Sequence, residues 1–484
     1  MAEAERTRTA TGSEPDRRWQ ALAICLIAGF MTLLDVSIVN VALPSIQQGL
    51  HAPPVALAWV VSGYALTFGL VLVPAGRLGD DRGRSRMFVL ALLAFTAASA
   101  LAGFAQNALW LVVARLLQGA AGGLLNPQVL GLMQQLFHGR ERGKAFGLFG
   151  AVVGLSTAVG PLLGGLIIQF AGAEHGWRWV FFVNLPIGAA ALLYAMRVLP
   201  RDRTDGQNRS LDLVGVLLLG SGLLCLLLPL VEHTGSPWYL LLLAPVLLGL
   251  FALWENWYRA RGRAPLVNLR LLRIRSYSFG TLLGLLYFGG FTSIFFVLAV
   301  YFQRGLGYTA LGAGLAMTPF AVGSAISSAV GGRFVHRFGR KLVLAGLVGA
   351  LAGLLATALL LSTHLGPAAG LVTAGPLLLA GVGSGMVISP NQTVTLSEVD
   401  TAHGGTAAGV QQTAQRIGTA LGTAAASGLF FSALQTGGYD EAISSGMVVS
   451  VCFVAAALVA GVAELVLESR REVQPTASRE RRRP

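Results

Sequence analysis

The sequence predicts an all-α integral membrane protein with fourteen transmembrane helices, and two observations carry this prediction. First, 54% of the 484 residues are hydrophobic and only 12% are charged, which is too little charge to cover a soluble protein of this length. Second, the apolar residues are grouped into fourteen runs, each compatible with the ~20-residue helix that crosses a bilayer.

These runs define the predicted spans in chain order. The first is not expected to be a cleaved signal peptide, because it is too long and follows a polar tail that contains several arginines. The three cysteines fall inside apolar runs at unrelated spacings, so no disulfide framework or metal site is expected. The predicted spans are 20–44, 56–78, 87–106, 109–131, 145–170, 179–198, 211–231, 238–256, 277–301, 310–332, 342–362, 368–393, 406–432 and 446–467.

The positions of Lys and Arg predict the orientation of the spans. If the N-terminus is cytoplasmic, Arg178 and Arg304 fall outside and Arg115 and Arg416 fall within spans. The remaining 31 of the 35 basic residues then fall on the cytoplasmic side. This asymmetry is the positive-inside rule, so both termini are expected in the cytoplasm of a multi-pass protein of the cell membrane. It also accounts for the net charge of +13 without a nucleic-acid partner.

Two distant parts of the chain are similar to each other. Residues 76–85, GRLGDDRGRS, align without gaps to 332–341, GRFVHRFGRK, and both follow an even-numbered span. This repeat predicts two six-helix bundles related by parallel duplication, with spans 7 and 8 inserted between them. The predicted organisation is an N-terminal cytoplasmic tail (1–18), a six-helix bundle (19–199), a linker with two inserted helices (200–276), a second six-helix bundle (277–467) and a C-terminal cytoplasmic tail (468–484).

The first span, which includes LLDVSIVNVALPSI at 33–46, contains an acid, Asp35. A carboxylate at such a position costs roughly 2.5–3.5 kcal/mol on insertion scales, so it is predicted to be functional. It is the only acid that the sequence places well inside a predicted span. Burial raises the pKa of a carboxyl group and a nearby cation lowers it, so a site that moves between these environments could load and release a proton.

A cation at similar depth is the expected partner of Asp35. Arg115 shares one face of the fourth span with small and polar residues, among them Gln118 and Asn126. An ion pair or shared hydrogen-bond network would offset the desolvation of both charges. Asn40 lies about 140° round the first helix from Asp35 and cannot pair with it directly. Two alternatives stay open: a permanent structural ion pair, and an Arg115 that extends outward to water.

The fifth span predicts a bend and a close helix contact. Its sequence contains Gly160, Pro161 and Gly164, and the proline leaves the carbonyl of Thr157 without its helical donor. An ordinary packing groove is the alternative.

The short loop near 76–86 predicts a tight turn that closes the cytoplasmic side. Gly76 and Gly83 belong to its pattern, Asp80 can face the end of a neighbouring helix, and Arg84 can pair with carboxylates. In the second repeat His336 stands where Asp80 stands in the first, so an asymmetric contact is expected, stronger in the N-terminal half.

Five stretches together make the chain similar to the major facilitator superfamily, specifically to its fourteen-helix drug:proton antiporter family. The resemblance extends over about 20–467. Two positions depart from the family pattern, because Asp81 stands in place of an arginine and Ser156 in place of a glycine. The stretches are LDVSIVNVALPSI (34–46), GRLGDDRGR (76–84), LVVARLLQG (111–119), GPLLGG (160–165) and WRWVFFVNLPIG (177–188).

The resemblance implies a function for these residues. Spans 1 and 4 would line a central cavity, the acid Asp35 would bind the coupling proton, and Arg115 would tune the pKa of Asp35. The fifth-span motif would mark an antiporter and limit proton leak. The expected activity is proton-coupled export of amphiphilic drugs or antibiotics by a monomer in the lipid bilayer, with the proton gradient as energy source and no cofactor.

Substrate contacts are predicted from polar residues on the corresponding helices. We expect neutral, zwitterionic, weakly anionic or monocationic amphiphiles, because the two intramembrane arginines outnumber the one deep acid. An enzyme is not expected, since nucleophile, metal and phosphate-loop motifs are absent from the sequence. A proton-linked or passive facilitator of a small metabolite is the alternative, because a fold alone does not set direction. The candidate contacts are Asn40, Gln118, Asn126, Tyr287, Thr292, Asn391 and Gln392.

Overall fold

The structure, a computed structural model, describes residues 14–172, 174–200, 212–231, 238–363 and 366–480. Within these residues it contains helices and no β-strand, so the all-α prediction is confirmed. The helices are α1 (Glu14–Leu50), α2 (Pro54–Arg82), α3 (Arg84–Gly103), α4 (Ala108–Leu136), α5 (Gly139–Ala171), α6 (Gly176–Phe182), α7 (Asn184–Val198), α8 (Leu213–Val231), α9 (Leu240–Ala260), α10 (Arg275–Val300), α11 (Ala310–Phe338), α12 (Arg340–Leu361), α13 (Ala369–Val372), α14 (Ala374–Thr395) and α15 (Gly404–Glu480).

All fourteen predicted spans fall on helices. Twelve stretches of the described chain are long and apolar enough to cross a membrane. One of them, Thr401–Leu467, has 67 residues, or about 100 Å of helix, which is enough for two crossings. The chain turns at Gly438 (φ 75°) inside α15, between the predicted spans 13 and 14. The predicted twelfth span corresponds to α13 and α14, and α14 ends in the polar sequence SPNQTVT.

Helix boundaries differ from the sequence prediction in two places that matter for the site. α1 continues to Leu50 rather than ending near Pro44, because the proline removes one hydrogen bond without breaking the helix. The predicted sixth span is broken at Val183 into α6 and α7, which places Asn184 at the first turn of α7. A buried polar side chain therefore stands where the sequence predicts a continuous apolar helix.

Two large clusters of buried apolar side chains hold the helices together. One draws most of its members from residues 22–195, and the other lies entirely within residues 283–457. The inserted helices α8 and α9 pack against each other, and α8 also contacts α2 and α15. Burial of these helix faces against one another leaves many large apolar residues exposed on the outside, as a lipid-facing surface requires.

Candidate functional site

Asp35 lies at the centre of a sealed hydrogen-bond network between α1, α4 and α7. Its side chain is 0% exposed. Arg115 donates from Nη1 to Asp35 Oδ2 at 2.5 Å, and Gln118 donates from Nε2 to Asp35 Oδ1 at 2.8 Å. Asn184 donates from Nδ2 to the same Oδ1 at 3.1 Å. The contact predicted between Asp35 and Arg115 is present, and three donors share the carboxylate charge.

Close packing of α4 against α2 positions the cation of this network. A Cβ atom at Gly119 or Gly123 would collide with the backbone of α2, so these glycines allow the two helices to approach. Arg115 then donates from Nε to the carbonyl of Val60 on α2 at 3.0 Å. On the other side, Ser99 of α3 accepts from Asn184 at 3.0 Å and ties α3 into the network.

A pair of aromatic rings on α2 separates this network from a second arginine. The Cζ of Arg115 lies 4.2 Å from the centroid of the Tyr64 ring. The ring of Phe68 is 6.0 Å from that of Tyr64, and the Cζ of Arg416 on α15 lies 4.4 Å from the Phe68 centroid. Two cations are thus held on neighbouring aromatic faces, an arrangement that stabilises a guanidinium out of water.

A cavity of about 670 Å³ lies beside the network, within the range typical of small-molecule sites. It is lined by α1, α2, α5, α8, α10, α11 and α15, and most of the wall is apolar. Asp35 does not line it, because Ser37 and Asn40, which face the cavity, lie about 160° and 140° round α1 from the acid. The lining residues of α1 and α2 lie towards the turn at His51, which joins these helices, rather than towards the turn at Gly83.

The opposite end of the molecule, at the turn around Gly83, is closed by contacts of Asp80. This carboxylate accepts hydrogen bonds from the backbone N–H groups of Gly405 at 2.9 Å and Thr406 at 2.8 Å, in the first turn of α15. It also accepts from Arg84 Nη2 at 2.6 Å. A carboxylate at this position satisfies free N–H groups and interacts favourably with the helix dipole. The predicted placement of Asp80 at the end of a neighbouring helix is confirmed.

Further bonds across the same end involve backbone atoms of α14 and the segment after it. Gln134 Nε2 donates to the carbonyls of Leu396 and Val399 at 3.1 and 3.3 Å, and Arg84 also donates to the carbonyl of Thr401. Gly83, with φ 98°, provides the turn between α2 and α3. Arg84 pairs with Asp80 on its own repeat, and the closing contacts are made to main-chain atoms and to the Thr406 hydroxyl, which donates to Asp80 Oδ2 at 2.8 Å.

Glycines of α5 allow close helix contacts at the same end and along α1. Near Gly83, a Cβ atom at Gly147 would lie 2.9 Å from the Cα of Gly332 on α11, so the two helices are in backbone contact. Near the cavity both helices line the space, and a Cβ atom at Gly314 of α11 would lie 3.4 Å from Pro161 Cβ, so the helices are less tightly packed there. Gly160 and Gly164 bring α5 close to α1, where a Cβ atom at Gly164 would lie 2.9 Å from Ile38 Cγ1. The close helix contact predicted for this span is present.

The comparisons with known proteins identify this architecture. The sequence profile of the Major Facilitator Superfamily matches residues 25–423. The chain belongs to the major facilitator superfamily. It is 38% identical over 437 residues to the probable actinorhodin transporter of Streptomyces coelicolor, covering 88% of this chain and 75% of that protein.

Two further comparisons agree with this assignment. The chain is 37% identical over 430 residues to the puromycin resistance protein pur8 of Streptomyces alboniger, covering 85% of this chain and 82% of that protein. The solved structure of the proton:xylose symporter XylE superposes with a TM-score of 0.67 at 15% identity, covering 92% of this chain and 95% of that one. As a member of this superfamily, the protein is a multi-pass membrane transporter and not an enzyme.

The predicted substrate contacts fall into two groups, those that line the cavity and those that do not. Asn40 and Thr292 line it. The other five do not, and α4 contributes no lining residue, because its polar face is turned to α1 and α2. Gln118 bonds Asp35, Asn126 donates to Thr32, Asn391 bonds Arg340 and the carbonyl of Gly280, and Tyr287 and Gln392 are buried.

The second repeat of the facilitator closes differently from the first. His336 is exposed, whereas Arg340, the counterpart of Arg84, donates from Nη2 to Glu464 Oε1 at 2.9 Å within the second half. The expected asymmetry is observed. Asp35 is not the only buried acid, since Glu464 and Glu255 are also buried, and the sequence placed neither of them well inside a span.

Arg416, one of the two arginines within predicted spans, lines the cavity. Among the described residues, the acids nearest to it along the chain, Glu398 and Asp400, do not pair with it. Asn184 was missed altogether. The signal for it was an asparagine inside the apolar sixth span, in the stretch FVNLP.

Proposed function

We propose that this protein is a proton-coupled antiporter that exports amphiphilic drugs or antibiotics from the cytoplasm. It works by alternating access between two six-helix bundles, as a monomer with both termini cytoplasmic, and it uses the proton gradient without a cofactor. Relatives with 37–38% identity are a probable actinorhodin transporter and a puromycin resistance protein, which supports an antibiotic-like substrate.

The observation that carries the proposal is the position of α1 between two sites. Its residues Ser37 and Asn40 face the cavity, while Asp35 faces the network of Arg115. A rotation or tilt of α1 therefore changes both the shape of the cavity and the access of water to the acid. A ligand shifts a conformational equilibrium only by its differential affinity for the two states. Because α1 takes part in both sites, its movement changes the affinity for the proton and the affinity for the substrate.

Protonation of Asp35 is the step that we assign to the coupling ion. A neutral carboxyl group loses its charge-assisted bond to Arg115 and binds less strongly to Gln118 and Asn184. The link between α1 and α4 weakens as a result, which allows α1 to move. With the cytoplasmic side at Gly83, the described conformation faces outward, and the contacts of Asp80 must open before substrate can enter from the cytoplasm.

Transport in everted membrane vesicles tests this proposal. Vesicles that contain the full-length protein are given an acid-inside pH gradient, and uptake of a fluorescent amphiphile is followed together with proton release. Asp35→Asn should abolish ΔpH-driven uptake, and Arg115→Ala should reduce it strongly because it leaves a buried carboxylate without its cation. Glu398→Gln, which removes an exposed acid, is the matched control.

Three results would count against the proposal. Full ΔpH-driven transport by Asp35→Asn would remove the acid from the coupling step. Uptake that is unaffected by collapse of the pH gradient, in wild type and variant alike, would favour a passive facilitator of a metabolite. Equal losses in Asp35→Asn and Glu398→Gln would indicate a general effect of charge removal rather than coupling.

A further inference from the structure

The cavity contains a positive charge that no described acid balances. Arg416 is the one charged residue among its lining residues, and no Asp or Glu lines the cavity. Within the described part of the chain Arg416 makes no ion pair and no hydrogen bond. The nearest deep acid, Asp35, is already bonded by Arg115, so its charge is not available to Arg416.

The protein holds the guanidinium in place without using its donors. Phe68 lies under Arg416 at 4.4 Å from the ring centroid, which fixes the side chain through a cation–π contact. A guanidinium stacked on a ring keeps its N–H groups at the edge of its plane, where they can bind a carboxylate in a bidentate fashion. An arginine keeps its proton in a protein, so this site stays cationic.

An unpaired cation in a mostly apolar cavity is unfavourable, and an anionic group of a ligand would relieve that cost. The cavity is also lined by Phe295, Phe296 and Met317, which suit an aromatic or aliphatic body. A dication or a monocation would meet Arg416 with no acid to compensate.

We infer that the cavity selects amphiphiles that carry one acidic group, with the carboxylate or ionised phenol bound by Arg416 and the apolar body against Phe295 and Phe296. The inference rests on the proposed function, because it takes the cavity as the substrate site. It narrows the expectation from the sequence, which allowed neutral and monocationic substrates as well, to an anionic head group.

Three fluorescent probes with one body test the inference: 1-pyrenebutyrate, its primary amide, and 4-(1-pyrenyl)butylamine. They are an anion, a neutral molecule and a cation with the same aromatic group and chain. Equilibrium binding to the purified full-length protein is measured for wild type, Arg416→Gln and Arg416→Lys. Arg304→Gln is the matched control, since Arg304 is exposed near the same end and does not line the cavity.

Wild type should bind the anion most tightly of the three probes. Arg416→Gln should lower its affinity for the anion about ten- to a hundredfold and leave that for the amide within about twofold, the size of a lost charge-assisted hydrogen bond. Arg416→Lys should retain part of the preference, and Arg304→Gln all of it. The amide serves as an internal measure that the cavity is intact in each variant.

Several results would overturn the inference: no preference for the anion in wild type, a preference that survives Arg416→Gln, equal losses for all three probes, or binding of none of them. Because binding at equilibrium needs no gradient, its failure is separable from that of the antiport proposal. Anion binding without ΔpH-driven export would reject antiport alone. Export of the amide or amine with no anion preference would reject the anion site alone.

Discussion

Asp80→Asn should shift the transporter away from the conformation described here. The Asp80 side chain is 2% exposed and accepts bonds from two backbone N–H groups of α15, the Thr406 hydroxyl and Arg84. An asparagine amide keeps one accepting oxygen and turns an NH₂ group towards donors. It thereby loses part of a helix cap on α15, worth roughly 1 kcal/mol. The bond to Arg84 joins two residues of the same repeat and does not depend on closure, so its loss is not counted.

This loss of about 1 kcal/mol is about fivefold in the ratio of the two conformations. Because the cap contacts to Gly405 and Thr406 exist only where the Gly83 end is closed, the substitution favours opening of that end and closure of the cavity. Two single-cysteine reporters can follow both changes: Thr423→Cys in the cavity wall and Ser328→Cys in the contact between α5 and α11.

The assay is the rate of modification by a small thiol reagent, on a background in which Cys25, Cys225 and Cys452 are replaced. In Asp80→Asn, labelling of Thr423→Cys should slow and labelling of Ser328→Cys should accelerate. Glu398→Gln, an exposed acid at the same end, should change neither rate. Unchanged rates in Asp80→Asn, or equal changes in Glu398→Gln, would refute the assignment of Asp80 as the closing contact.

Two further predictions concern topology and helix contact. Cysteines introduced at 205 and 235, both outside the described residues, should differ in intact cells, with only the second modified by an impermeant reagent; modification of the first would reject the proposed orientation. Gly332→Ala should slow labelling of Thr423→Cys, because the new Cβ would lie 2.6 Å from the Cα of Gly147 and force α5 and α11 apart. Gly375→Ala, where no atom lies within 4 Å, is its control.

The sequence predicts the helices of this protein well, and two physical signals explain why. Apolar runs of bilayer length have few alternatives to a helix, since every backbone polar group must be satisfied within the membrane. Depth matching then paired Asp35 with Arg115, because two buried charges stabilise each other only at the same level. Both signals depend only on positions along the sequence, so a single chain is enough to detect them.

The cavity wall could not be predicted in the same way. Membrane helices of a bundle lack the polar face that marks the exposed side of a soluble helix, so apolar sequence does not say which face meets lipid, a neighbour or a cavity. Tyr287 and Asn391 therefore looked as suitable as Thr292, although only Thr292 lines the space. Asn184 was missed because its role depends on a break at Val183 that the apolar pattern does not reveal.

The closing contacts at the Gly83 end recognise main-chain atoms of the second half. Asp80, Arg84 and Gln134 bond the backbone between 396 and 406, and the Thr406 hydroxyl adds a side-chain bond to Asp80. Halves from different relatives should then assemble into working chimaeras, provided that the backbone path, the small residues at Gly404 and Gly405 and the Thr406 hydroxyl are kept. The residues of α15 that face the cavity lie more than two helical turns beyond this segment, so they can change in sequence while the closing contacts at the Gly83 end stay the same.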